Sequence, residues 1–187
     1  MLLDEILQKW RMVKAMRHIP KHARVLDVGS GNGRLFQLLG DHITEGIGID
    51  PLLAEPISHA NYSLVPGNFP TQVPKGKLFD AITMLAVIEH FPEDLLQHCN
   101  EICRDLLHDG GLVIITVPSR YVDTILSILK LLRLVDAHTL DEHHGFEVSM
   151  ISEIFSCDSF ELIYRKHFQL GLNNLFVFKK KRWPRSS

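Results

Sequence analysis

Asp27-Val28-Gly29-Ser30-Gly31-Asn32-Gly33 is the stretch that decides the fold. It follows a short apolar run, Ala23-Arg24-Val25-Leu26, and opens a segment from Asn32 to Leu39 with helical apolar spacing, which Gly40 is suited to cap. Strand, glycine turn and helix in that order put the turn at the carboxyl end of a strand, where an open parallel sheet binds its ligand. Glycines there let the backbone turn tightly and let a ligand approach with no Cβ in the way. Two common glycine loops do not fit. A dinucleotide loop, G-x-G-x-x-G counted from Gly29, needs glycine where Arg34 stands, and the glycine comes one residue early at Gly33. A phosphate-cradling loop needs a Gly-Lys-Ser/Thr ending, and none follows.

Outward from this loop the chain alternates strands and helices. Leu3, Ile6, Leu7, Trp10 and Val13 recur at helical spacing, so the first eighteen residues read as an amphipathic helix that Pro20 ends. Gly46-Ile47-Gly48-Ile49-Asp50 reads as a second buried strand, followed by a short helix around Leu52 to His59 and a third strand at Ser63-Leu64-Val65. A fourth strand spans Leu78 to Leu85, and Pro92 to Leu107 is a helix with Glu93 and Asp94 in its first turn. Asp109-Gly110-Gly111 reads as a turn into a fifth strand, Leu112 to Val117; helices follow at Tyr121–Val135 and Ser149–Phe155. Two late strands, Phe160–Tyr164 and Asn174–Phe178, are too close for a helical crossover and must pair as an antiparallel hairpin. The expectation is an α/β fold: a doubly wound, seven-stranded, mostly parallel sheet with an antiparallel C-terminal hairpin and helices on both faces. Residues 1–178 form one domain, with an N-terminal helix at 1–20, a substrate-side insertion or lid at 119–147, and a basic tail at 179–187.

The length of 187 residues suits one domain, and 45% hydrophobic against 22% charged residues is an ordinary globular balance, which excludes disordered, collagen-like and disulfide-framework classes. Twenty basic against twenty-two acidic residues leave a net charge of −2, so no whole-protein positive field draws in nucleic acid. No apolar run reaches the ~20 residues needed to span a bilayer. Acids in Met1-Leu2-Leu3-Asp4-Glu5 stand where a signal peptide has lysines. With an odd set of cysteines, Cys99, Cys103 and Cys157, this points to reduced thiols in a cytoplasm.

The spacing D-x-G-x-G-x-G resembles motif I of the class I S-adenosylmethionine-dependent methyltransferases, whose fold is Rossmann-like. Further stretches extend the resemblance along most of the chain. Asp50 closes the second strand, where that family places the acid for the ribose hydroxyls, with Pro51 beside it. Gly67-Asn68-Phe69-Pro70 is similar to the loop that touches adenine, although Asn68 stands where an aspartate is common. Phe79-Asp80-Ala81-Ile82 with Leu85-Ala86-Val87-Ile88-Glu89-His90 resembles the fourth strand and its continuation, and Leu107-His108-Asp109-Gly110-Gly111-Leu112 the turn into the fifth. The small-molecule branch containing ubiquinone-type O-methyltransferases is the nearest named likeness. The resemblance implies S-adenosylmethionine as cofactor, held by Asp27, Gly29, Ser30, Gly31, Gly33, Asp50, Pro51, Asn68, Phe69 and Leu85. It implies transfer of a methyl group to a small molecule, at oxygen.

The chemistry agrees. The cofactor carries a carboxylate and an ammonium at one end, a sulfonium in the middle and no phosphate, so no phosphate-gripping lysine is needed. Its carboxylate can use free N–H groups around Gly31 to Gly33. Asp50 can accept two ribose hydroxyls as charge-assisted bonds. Asp27 orients the loop or meets the ammonium through water. For an alcohol or phenol acceptor a general base is needed, and His90, His143 or His144 can serve; His90 can equally be a loop residue that shapes the floor of the site. Asp136, His138, Asp141, Glu142, His143 and His144 match no metal template, so no metal is expected and the cluster reads as a polar surface loop or as the rim of the substrate site. Cys99 and Cys103 share a helix face and read as core. The Tyr121–Val135 segment is apolar nearly all round, which fits core packing, a cover over a lipophilic acceptor, a peripheral membrane contact or a homodimer. Lys180, Lys181, Arg182 and Arg185 make the tail a solvated one, or one touching acidic lipid or nucleic acid. The alternative to an active enzyme is a cofactor-binding module serving as partner or regulatory subunit, and the alternative acceptor is lipid-linked or a protein.

Overall fold

The computed structural model describes residues 2–119, 148–155, 158–169 and 171–182. In chain order they form α1 (Leu2–Met16), β1 (Ala23–Val28), α2 (Arg34–Leu39), β2 (Ile43–Asp50), β3 (Ile57–Ser58), β4 (Tyr62–Pro66), β5 (Phe79–Leu85), α3 (Glu93–Leu106), β6 (Leu107–Pro118), α4 (Val148–Ile154), β7 (Phe160–Phe168) and β8 (Asn173–Lys180). Single 3₁₀ turns at Gly40–His42 and Ile88–His90 join them.

The eight strands lie in the order β3-β4-β2-β1-β5-β6-β8-β7. The pairs β1/β2, β1/β5, β2/β4 and β5/β6 are parallel, while β8 runs antiparallel to both β6 and β7. The central strands are near-continuous apolar runs because both of their faces are covered. On one face Met12 and Ala15 of α1 and Leu35, Phe36 and Leu39 of α2 pack on Val25, Ile114 and Val177. On the other, Cys99 and Cys103 of α3 and Ile151 of α4 pack with Leu26, Ile82, Val113 and Phe176. The two cysteines are core residues, as their spacing indicates.

The doubly wound sheet and its C-terminal hairpin match the expectation, with local corrections. The short helix expected at Leu52–His59 is absent. The turn closed by the Leu53 N–H on the Asp50 carbonyl at 3.4 Å is not continued, because Pro56 disfavours the helical region for Glu55. Instead Ile57 and Ser58 pair antiparallel with Leu64 and Ser63 and supply an eighth strand. Asp109-Gly110-Gly111 is no turn between helix and strand but an excursion inside β6, whose register jumps from Phe79↔Leu107 to Ala81↔Leu112. Gly110 makes it at φ +81°. Lys179 and Lys180, expected to start the solvated tail, are the last residues of β8. The apolar stripe of α1 is also not its buried face: Ile6 and Trp10 are 51% and 44% exposed, while Met12 and Ala15 turn inward. Tyr121–Val135, the acid and histidine cluster before Gly145, and Cys157 lie outside the described residues. No helix among the described residues is long and apolar enough to cross a membrane.

Candidate functional site

From β1 the chain winds through β2 and β4 to one side, and through β5 and β6 to the other. The carboxyl ends of β1 and β5 therefore border the crevice where the winding reverses, the place such sheets offer a ligand. The glycine loop sits there. Gly29, Gly31 and Gly33 have φ of +75°, +51° and +75°, a left-handed region that a side chain disfavours. The N–H groups of Gly29 and Ser30 donate to the Ile49 carbonyl at 2.8 and 3.3 Å, which ties the loop to the end of β2.

Asp50 closes the tie. Its Oδ2 accepts the Gly31 N–H at 2.8 Å and its Oδ1 accepts the Leu52 N–H at 2.9 Å. Each oxygen keeps a lone pair for a further donor, so the braced carboxylate can take a pair of hydroxyls. The space above the loop is uneven. A Cβ on Gly29 would lie 2.2 Å from a Val87 methyl, whereas one on Gly31 would meet nothing within 4 Å. Gly29 is needed for packing and Gly31 faces open ground.

Beneath the loop, Asp27 is buried and its Oδ1 accepts the Thr83 hydroxyl at 2.6 Å. Burial pushes its carboxyl up to about 7; the Thr83 bond holds it down, and the charge of Asp50 raises it further. Ser30 is buried as well, and its Oγ has no hydrogen-bond partner. These features fit the cofactor that the family resemblance implies: a diol acceptor, open ground over the loop and an unspent hydroxyl.

The remaining predicted residues fall unevenly. Pro51 and Asn68 are exposed near the ends of β2 and β4, while Phe69 is buried with its ring 6.0 Å from that of Phe91. Leu85 is half-buried at the end of β5, and after it Ala86 holds φ +59°, uncommon for a residue with a Cβ. That kink carries Val87 onto Gly29. His90 is exposed on the turn that follows. His143 and His144 lie outside the described residues.

Two residues escaped the sequence reading. Leu52, two positions after Asp50, is 92% exposed at the rim of the crevice. An apolar residue directly after a strand-end acid and a proline was the available signal. Glu89 is half-buried, its Oε2 is occluded from solvent and has no hydrogen-bond partner. Burial raises its carboxyl to about 7, against the pull of its own backbone N–H and of Arg11 on α1. The resemblance along Leu85 to His90 covered it but gave it no role.

Comparison with known proteins gives the family and supports the fold. Residues 4–161 match a family described as a methyltransferase domain. The chain belongs to this family, the class I S-adenosylmethionine-dependent methyltransferases. Among solved structures it superposes on a chain of the complex between the Haloferax volcanii methyltransferase activator Trm112 and a methyltransferase, with TM-score 0.68, 15% identity, and 92% and 90% of the two chains covered. It is similar in fold to the N-methyltransferase NodS of Bradyrhizobium japonicum WM9 in complex with S-adenosyl-L-homocysteine, with TM-score 0.61, 12% identity, and 95% and 87% covered. The cyclopropane synthase MmaA2 of Mycobacterium tuberculosis gives TM-score 0.66 at 12% identity, with 91% and 83% covered. A sequence relative is the probable non-canonical nonribosomal peptide synthetase CymA of Salinispora arenicola, 32% identical over 125 residues. The match takes in 59% of this chain but only 2% of the length of that protein.

Proposed function

We propose that the chain binds S-adenosylmethionine between the ends of β1 and β5 and transfers its methyl group to a small-molecule acceptor, at oxygen, by in-line displacement. The observation that carries this reading is Asp50, a carboxylate braced by the loop it serves and left with one lone pair on each oxygen. In this reading Asp50 takes the two ribose hydroxyls, Gly29 to Gly33 lie along the amino-acid end with Asp27 beneath them, and Leu52, Pro51, Asn68 and Leu85 border the adenosine. The bound sulfonium supplies an already activated methyl group. The work left to the chain is to align the partners and keep water out, a contribution of up to ~7–11 kcal/mol.

The acceptor side favours a molecule with an apolar part. The N-terminal half of α1 lies at the carboxyl end of the sheet, where Gln169 donates to the Leu7 carbonyl at 2.9 Å just ahead of β8. There Ile6 and Trp10 stand exposed one helical turn apart. A second reading, an acceptor carried on a protein or lipid, draws support from the likeness to part of a nonribosomal peptide synthetase.

Cells grown on methyl-labelled methionine with and without the protein separate the two readings. A label in a soluble metabolite supports the first, and a label confined to protein or lipid fractions supports the second. The site itself is tested by Asp50→Ala. Losing two charge-assisted bonds, each ~1.5–3 kcal/mol gross, should weaken S-adenosylhomocysteine binding at least tenfold by titration calorimetry. Unchanged affinity would remove Asp50 from the site.

A further inference from the structure

Buried hydrogen-bonding groups in native proteins are almost always paired, so buried oxygens without a partner ask for an explanation. Three of them gather on one side of this fold. Thr116 Oγ1 and Asn173 Oδ1 are buried without partners near the ends of β6 and β8, and Glu89 Oε2 is the third. Side chains alternate along a strand, and the neighbours Ile114, Leu175 and Val177 face the core layer shared with α1, so Thr116 and Asn173 face it too. Thr116 pairs with Leu85 in the ladder, and its carbonyl takes the Ala86 N–H at 2.8 Å, which places it at the kink leading to Glu89. Arg11, on α1, is near enough for its charge to lower the Glu89 carboxyl, which sets Glu89 on the α1 side. Asn173 is joined to α1 through Gln169, which receives its side-chain N–H and donates to the Leu7 carbonyl. Glu89 Oε2 and Asn173 Oδ1 accept hydrogen bonds and lack donors, and the Thr116 hydroxyl can either donate or accept.

We infer that the methyl acceptor is a hydroxyl compound seated under α1, and that Glu89, not His90, receives the proton of the hydroxyl that is methylated. The inference rests on the methyltransferase reading above and names its acceptor chemistry. In the step the acceptor O–H breaks and its proton passes to Glu89 Oε2. The electron pair so freed on oxygen forms the bond to the methyl carbon, and the C–S bond breaks with its pair kept by the sulfonium sulfur, which becomes a neutral thioether. Glu89 returns the proton to solvent. The charged group that acts on it from the packed helix is Arg11. The Glu89 carboxyl, which burial raises to about 7, is matched to this work and keeps an unpaired oxygen beneath the surface, whereas His90 is exposed on the turn.

The test uses the full chain as wild type, Glu89→Gln, Glu89→Asp and His90→Ala. Each is titrated with S-adenosylhomocysteine, melted at pH 6 and pH 8, and incubated with methyl-tritiated S-adenosylmethionine and a deproteinised small-molecule extract of the producing organism. Glu89→Gln should bind S-adenosylhomocysteine within about twofold of wild type and melt no lower than it at pH 8, where a buried charge is removed. Its labelling of the extract should fall by the ~10²–10⁴ typical of a lost general base. Glu89→Asp should recover part of that labelling, and His90→Ala should keep most of it. Wild-type labelling retained in Glu89→Gln, or lost in His90→Ala, overturns the role of Glu89 alone. Glu89→Gln that melts lower at both pH values and no longer binds shows a structural residue and overturns it too. Wild type that labels nothing overturns the acceptor reading itself, and this inference with it.

Discussion

At the scale of residues, the two glycines at the centre of the loop have different duties although the sequence writes them alike. Gly29 has no room for a Cβ against Val87, while Gly31 has room and nothing to fill it. Both adopt left-handed backbone, which costs a residue with a side chain ~1–2 kcal/mol. Gly29→Ala adds the ~1–3 kcal/mol of an overpacked contact, or displaces the β5 kink. It should therefore melt well below Gly31→Ala. Gly31→Ala should stay folded and bind S-adenosylhomocysteine at least tenfold more weakly, because its methyl occupies the open ground. Thermal melts and calorimetry on the pair check this, and equal binding by Gly31→Ala and wild type would move the ligand off the loop.

At the scale of elements, the C-terminal end of α3 is held by a residue the composition places in a solvated tail. Lys180 Nζ donates to the carbonyls of Arg104 and Leu107, both at 2.7 Å, where a helix end leaves carbonyls without partners and favours a cation. Lys180→Met keeps the stem and removes the donors, so it should cost about 1–3 kcal/mol. For a chain of this size that is a melting temperature lower by roughly 2–4 °C per kcal/mol. A variant as stable as wild type would show that water serves these carbonyls equally well. Lys180 illustrates where legibility ends. The strands β1, β2 and β5 and the loop between the first two could be read because burial on both faces writes a continuous apolar run, and a turn with φ above zero writes glycine. Asp50 could be placed beside the loop because the resemblance puts an acid at the end of the second strand, and its bond to the Gly31 N–H brings it there. The pairing of Ile57 with Leu64, the excursion in β6 and the inward face of α1 could not, since each is decided by what packs opposite. Trp10 is exposed and Met12 is buried although both lie on an apolar helix, because the sheet beneath chooses the face. Glu89 is the extreme case: its burial and its unpaired oxygen are properties of the packed fold and not of its neighbours in sequence.

At the scale of the whole molecule, two carboxyls at the ligand end of the sheet, Asp27 and Glu89, are both raised by burial to about 7. The sign of the consequence follows from linkage. A carboxyl whose folded pKa exceeds its unfolded value favours the fold while it is protonated in both states, below about 4, and loses that contribution as pH climbs to about 7. His18, lowered by burial and by Arg17, acts in the opposite direction and loses its contribution as pH falls through its ordinary value of 6.5. Comparing Asp27→Asn with wild type cancels His18, because both chains carry it. The asparagine keeps an oxygen for the Thr83 hydroxyl and removes the buried charge, so the melting temperature of Asp27→Asn relative to wild type should rise from pH 5 to pH 8, by a few degrees at ~2–4 °C per kcal/mol. A bound ammonium near Asp27 would reverse the strain by favouring the carboxylate. Binding of S-adenosylhomocysteine at pH 7 should then release protons from wild type, seen as a binding enthalpy that differs between phosphate and Tris buffers. The difference should shrink in Asp27→Asn. A buffer-independent enthalpy in wild type would mean that the ligand's cation lies away from Asp27, and that this carboxyl serves the loop through Thr83 alone.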